Sequence, residues 1–155
     1  MSKSVTRVRA ALEAAGLPAD IREPGETRTA EQAAAAVGCA PDQIVKSLIF
    51  RGEESGHLRL FLVPGGRRLS PQKAAAAAGE SLGKADAALV RAETGFAIGG
   101  VAPVGHIAPV ATWMDPRLLE FAEVWAAAGT PRHVFSAAPE ALRRVAGAVT
   151  RDVTE

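Results

Sequence analysis

The sequence predicts a mixed α+β fold, a sheet or barrel with helices packed against it, on three observations. Apolar runs of strand length are interspersed with helical patterns, but without the strict strand–helix–strand alternation of a doubly wound sheet. Residues 44–63 read as two strands joined by a polar turn. Several short helical patterns carry their own start and stop signals.

Taken in order, Val5, Val8, Leu12 and Ala15 recur at helical spacing, so a helix is expected over Ser4–Ala15, stopped by Gly16. A short strand is expected over Ala19–Glu23. Thr29 opens a second helix with Gln32 three residues on, as in a capping box, and Gly38 ends it. Ile44–Arg51 and Leu58–Val63 form the hairpin, across Gly52-Glu53-Glu54-Ser55-Gly56. Pro64-Gly65-Gly66 breaks the chain, and Ser70-Pro71 starts a helix with proline at its first position. Asp86 caps a further helix closing at Gly95. A glycine-rich loop follows, then an expected strand over Ile107–Met114, a helix start at Asp115-Pro116, and a strand over Phe121–Ala127. A short strand at His133–Phe135, a helix over Pro139–Ala146 and a strand near Val149–Val153 complete the chain. The alanine runs 33–36 and 74–78 are helix filler, since nothing else in the two segments matches.

With 155 residues, the chain suits one domain over residues 1–155 with a single core. A net charge of +1 gives no strong basic field, so tight binding to nucleic acid regardless of sequence is not implied. One cysteine, Cys39, excludes a disulfide framework. There is no apolar leader and no run of membrane-spanning length, so a cytoplasmic protein is expected.

Two features carry chemistry. The first is Lys46, in Ile44-Val45-Lys46-Ser47-Leu48-Ile49-Phe50. On a strand it shares a face with Ile44, Leu48 and Phe50, where an unpartnered ammonium is costly. It either snorkels to the sheet edge or sits at a pocket mouth to meet a phosphate or hydroxyl, and periodicity alone favours the first. The second is Gly99-Gly100-Val101-Ala102-Pro103-Val104-Gly105-His106. Its glycines either supply turn geometry or let backbone N–H groups approach a ligand. It is neither a Walker A loop nor a dinucleotide fingerprint.

Other chemistries find no support. His57, His106 and His133 have no metal-ligand spacing, and no metal or other cofactor is expected. Only His106, beside the loop, is a site candidate. There is no Gly-x-Ser-x-Gly elbow. Tyrosine is absent and there are only five Phe and two Trp, too few for a base-stacking platform.

Three segments occur in a recognisable order: Thr29-Ala30-Glu31-Gln32-Ala33-Ala34, then Gln43-Ile44-Val45-Lys46-Ser47-Leu48-Ile49-Phe50, then Thr94 through His106. Together they resemble the YbaK/prolyl-tRNA synthetase-associated domain family, over nearly the whole chain. The resemblance implies a mixed α+β domain with a strongly curved, barrel-like sheet flanked by helices. It implies a deacylase that hydrolyses wrongly charged aminoacyl-tRNA, chiefly proline tRNA. Lys46 matches the family's essential lysine, thought to hold the 3′-terminal adenosine, and Ser47 a small hydroxyl residue beside it. Gly99, Gly100 and Pro103 match the loop lining the aminoacyl pocket and positioning water. Lys46 and Gly100 are thus the implied catalytic residues, with Ser47, Gly99, Val101, Pro103, Gly105 and His106 binding substrate. Ala127-Ala128-Gly129-Thr130-Pro131-Arg132 departs from the Ser and Gly-Lys-Arg-Gly-like turn of members acting on cysteinyl-tRNA, which argues against cysteine as substrate.

The expected protein is a freestanding trans-editing hydrolase for a small amino acid on proline tRNA. A synthetase partner is possible, no membrane is involved, and the chain is a monomer or weak homodimer. The alternatives are a non-catalytic module binding a tRNA end, a nucleotide or a protein on the same fold, and a hydrolase of some other small aminoacyl ester.

Overall fold

A computed structural model describes residues 2–155. Helix α1 spans Lys3–Ala14, with the Ser2 hydroxyl accepting from the Val5 N–H at 3.1 Å, and strand β1 is only Ile21–Arg22. Helix α2, Ala30–Val37, starts where the capping signal placed it. Thr29 Oγ1 accepts from Gln32 N at 3.1 Å, and Gln32 Oε1 accepts from Arg28 N at 2.8 Å. A 3-10 turn at Pro41–Gln43 leads into β2, Ile44–Gly52, and β3, Leu58–Pro64. Then come α3 (Pro71–Ala78), β4 (Leu82–Lys84) and α4 (Ala87–Thr94). Next are β5 (Ala111–Met114), a 3-10 helix at Pro116–Glu120, β6 (Val124–Ala127) and β7 (Val134–Ala137). Helix α5 (Pro139–Ala146) and β8 (Val149–Thr150) close the chain.

The strands form one mixed sheet in the order β1-β7-β6-β2-β3-β5-β8. The β2–β6, β3–β5 and β5–β8 pairs are parallel and the rest antiparallel. The mixed α+β architecture is thus the expected one. The strand expected at 107–114 begins only at Ala111. Upstream, Ile107 N–H and Ala108 N–H donate to the Thr94 and Glu93 carbonyls and so close the end of α4 instead. The expected terminal strand shrinks to two residues plus a bridge between Leu69 and Thr154.

The main core lies on one sheet face. Val8 and Leu12 of α1, Leu60 and Leu62 of β3, Phe96, Phe135 and Leu142 are all fully buried there. Burying each such side chain contributes roughly 1.5–3 kcal/mol. The opposite face carries two smaller clusters. One joins Ala33 and Ala34 of α2 to Ile44 and Trp125, and the other joins Ala74 of α3 to Phe61, Val63 and Val153.

Glu80 locks the hairpin turn. Its carboxylate accepts from Glu54 N, Ser55 N, Ser55 Oγ and Arg59 at 2.7–3.0 Å. The bonds from the Ser55 N–H and hydroxyl, followed by those from Glu54 and Arg59, lower its pKa from 4.5 to about 2. A depressed carboxylate contributes stability that is present above its unfolded pKa and lost as pH falls through the folded one. Glu80→Gln is therefore expected to flatten the decline of Tm between pH 4.5 and about 2. An acid limb of unchanged steepness in a thermal-denaturation series would contradict this.

Candidate active site

Among the described residues β2 is the only strand with three partners, and the way they share it opens the sheet. Strand β3 covers one edge of β2 from Val45 to Arg51. On the other edge, β6 pairs with Ile44 and Val45, and β4 pairs with Phe50 to Gly52. Lys46 to Ile49 therefore have no strand beside them on that edge. Gly65 N–H donates to the Ile44 carbonyl and Gly52 N–H to the His57 carbonyl, which turns the even-numbered backbone groups of β2 toward β3. By the same alternation, the N–H and C=O of Ser47 face the gap, whereas the Phe50–Lys84 pairing sets the Ile49 C=O opposite the Ala85 N–H.

A cleft occupies the gap, and its two lobes share Ser47, Leu48, Gly99 and Val101. The first lobe, about 300 Å³, is lined by Arg28, Lys46, Trp125, Thr130 and His133 among others. The second, about 610 Å³, is mainly apolar, with Phe50, Leu82, Ala85 and Ile98 in its walls. Among the described residues, no aspartate or glutamate lines either lobe. The Ser47 hydroxyl is buried without a hydrogen-bond partner.

Lys46 emerges between the two small apolar clusters, because Ile44 belongs to one and Leu48 and Phe50 pack on the other. Its ammonium donates to the Arg67 carbonyl at 2.6 Å. That carbonyl belongs to the turn after β3, where Gly66 N–H donates to Asp42 at 3.0 Å and Arg117 holds the same carboxylate at 3.1 Å. Burial lowers the pKa of Lys46, Glu31 opposes this, Arg68 adds to it, and Asp42 again opposes it. A carbonyl orients the ammonium without neutralising it, so the charge remains available to an anionic or hydroxyl-bearing ligand.

The glycine loop forms the facing wall. Gly100 N–H donates to the Ala97 carbonyl at 3.0 Å, closing a turn. A Cβ on Gly100 would stand 2.9 Å from Thr130 Cα and 3.2 Å from the Gly129 carbonyl oxygen. This glycine is therefore required by close packing of two loops rather than by a left-handed backbone. The chain then dives through the core, with Val101, Ala102 and Val104 buried.

That passage separates the remaining candidates. Pro103, Gly105 and His106 line a different groove, with Ala11 of α1 and the end of α5. Gly105, at φ +80°, backs onto α1, where a Cβ would lie 3.0 Å from the Arg7 carbonyl oxygen. His106 Nε2 donates to the Ala102 carbonyl at 2.6 Å, and its ring packs edge-on against Phe96. Burial lowers its pKa against the opposing effect of that bond, which keeps the imidazole neutral at pH 7. The structure thus brings Lys46, Ser47, Gly99 and Val101 to one cleft, with Gly100 behind its wall, and places the other three elsewhere.

Four cleft residues were not among the site candidates, although Thr130 lies in the 127–132 segment noted for its bearing on the substrate. Trp125 is buried in the first lobe with the Arg22 guanidinium 4.9 Å from its ring centre. Thr130 Oγ1 lies 2.6 Å from His133 Nδ1, and His133 Nε2 lies 3.5 Å from Glu23. Arg28 completes the group at the mouth of α2. Burial, then Glu123, raises the pKa of Cys39, which disfavours its thiolate. Among the described residues no His/Cys/Asp/Glu group could hold a metal ion, and no helix is long and apolar enough to cross a membrane.

Known proteins share this framework. A crystal structure of a protein proposed to be a trans-editing enzyme for prolyl tRNA synthetase is 48% identical, with a TM-score of 0.91 over 100% of this chain and 99% of that one. The hypothetical protein APE2540 is 31% identical, with a TM-score of 0.86 over 96% and 99%. The uncharacterized protein YwhH of Bacillus subtilis (strain 168) is 31% identical over 114 residues, 74% of this chain and 72% of that protein. Residues 24–145, which include every residue of the cleft described above, match the aminoacyl-tRNA editing domain, and the chain belongs to that family.

Proposed function

We propose that the protein is a trans-editing hydrolase that removes a small, wrongly attached amino acid from proline tRNA in the cytoplasm. The observation that carries this reading is the cleft itself. A charged lysine, a broken sheet edge and a glycine-loop wall converge there without any acid to occupy them.

An aminoacyl ester is already activated, so its hydrolysis needs orientation and charge stabilisation more than a strong base. In the proposed reaction water adds to the ester carbonyl, and the carbon–oxygen bond to the terminal ribose breaks. The ribose oxygen takes a proton, and the products are the free amino acid and a tRNA with its hydroxyl restored. Lys46 holds the terminal nucleotide, and the main-chain N–H groups of Gly99 and Val101 face the developing oxyanion, that of Gly100 being taken by the Ala97 carbonyl. The Ala127–Arg132 segment, with Thr130 and Pro131 in the first lobe, shapes the space left for the amino acid. One methylene in such a pocket discriminates by only ~1–3 kcal/mol, so the side chain selected is set by volume and by a hydroxyl partner. The net charge of +1 makes tRNA binding weak and salt-sensitive, which suits delivery by a synthetase partner.

The test is deacylation of alanyl-, cysteinyl-, seryl- and threonyl-tRNA made on proline tRNA. Rapid hydrolysis of one or two of these, with cysteinyl-tRNA among the slow substrates, is expected. Failure to hydrolyse any of the four, with tight binding of the uncharged tRNA end, would instead support the binding module.

A further inference from the structure

We infer that the exposed edge of β2 recognises the free α-ammonium group of the aminoacyl ester through the main-chain carbonyl of Ser47. The inference rests on the reading of the cleft as an aminoacyl-tRNA site and names how that site distinguishes an aminoacyl ester from other acyl esters.

An aminoacyl ester brings a cation into the cleft, and a cation needs acceptors when it leaves water. Carboxylates are the usual partners, but neither lobe is lined by one. The charged or titratable groups lining the two lobes are Arg28, Lys46, Lys84 and His133. Acceptors must therefore come from hydroxyls or the main chain. The edge between β6 and β4 supplies one at Ser47, whose carbonyl faces the gap where neither strand pairs. Ser47 lines both lobes, so its backbone belongs to the cleft wall. An unpaired carbonyl at a strand edge suits an ammonium, which only donates, better than it suits a neutral acyl chain. The arrangement also accounts for the interruption itself: a strand running on past Ser47 would consume this acceptor.

The experiment compares alanyl-tRNA with lactyl-tRNA, in which a hydroxyl replaces the α-ammonium at nearly constant volume. Each enzymatic rate is divided by that ester's spontaneous hydrolysis rate. The normalised kcat/KM is expected to be about 10- to 100-fold lower for the lactyl ester, as for loss of a charge-assisted hydrogen bond. The gap is expected to narrow as pH rises through titration of the alanyl amino group. Ser47→Ala keeps the main-chain carbonyl and is expected to retain the discrimination, even if its rates fall. Equal normalised rates for the two esters in the wild type would overturn the inference while leaving the hydrolase reading in place. Absence of hydrolysis of every aminoacyl ester tried would instead remove the hydrolase reading, and the inference with it.

Discussion

Replacing Lys46 with alanine is expected to lower kcat/KM for deacylation by about 100-fold or more, the scale for deleting a desolvated charge that meets its partner. Folding should barely change. Among the described residues the ammonium has no carboxylate partner and bonds only the Arg67 carbonyl, so its removal leaves no buried counter-charge behind. A stability change below about 1 kcal/mol is expected, as for other partly exposed sites. Lys46→Met, which keeps the stem packed between the two apolar clusters, should lose as much activity as Lys46→Ala. Parallel loss in the two variants, with unchanged thermal denaturation, assigns the effect to charge. Near-wild-type turnover in either one would remove Lys46 from the mechanism.

The second large effect is expected at Gly100. Valine there meets backbone and not a yielding side-chain tip: Thr130 Cα at 2.9 Å and the Gly129 carbonyl at 3.2 Å. The two loops must part, at a cost of about 1–3 kcal/mol for overpacking. Their separation also displaces the Gly99–Val101 wall, and a shift near 1 Å is enough to cost about 100-fold in rate. The expected signature is a fall in kcat/KM far larger than the modest fall in Tm. An unchanged kcat/KM would make the loop a structural turn only. Gly105 provides the contrast, because a side chain there presses on α1, away from the cleft.

Much of the scaffold was legible because its signals are local. The Thr29/Gln32 cap, the proline at the start of α3 and the long alternating hairpin each act within a few residues. The elements that were misplaced depend on distant partners. Strand β4 is three residues long with a glycine at its centre, and it exists only because Arg51 and its neighbours offer an edge. The 107–110 stretch looks apolar enough for a strand, yet its first N–H groups are drawn to the end of α4.

The same division runs through the site. Lys46 stood out as a cation in an apolar strand, and its position between two clusters is the physical reason such a residue is tolerated. Gly105 and His106 adjoin the loop in sequence, but the buried Val101–Val104 passage carries them through the core to another face. Nothing local to Trp125 or His133 marks them, and Trp125 reaches the cleft through the parallel pairing of β6 with β2. The open edge at Ser47 is a property of three strands together and has no signature in any one of them.

The central claim is that the aminoacyl end of a tRNA occupies the cleft at the β2 edge. Its most direct test is a backbone-amide NMR titration with a non-hydrolysable, amide-linked alanyl-adenosine. Shifts concentrated at Lys46, Ser47, Gly99, Val101, Trp125 and Thr130 are predicted. Shifts confined to Gly105–Val110 and Val145–Gly147, or none at saturating analogue, would contradict it.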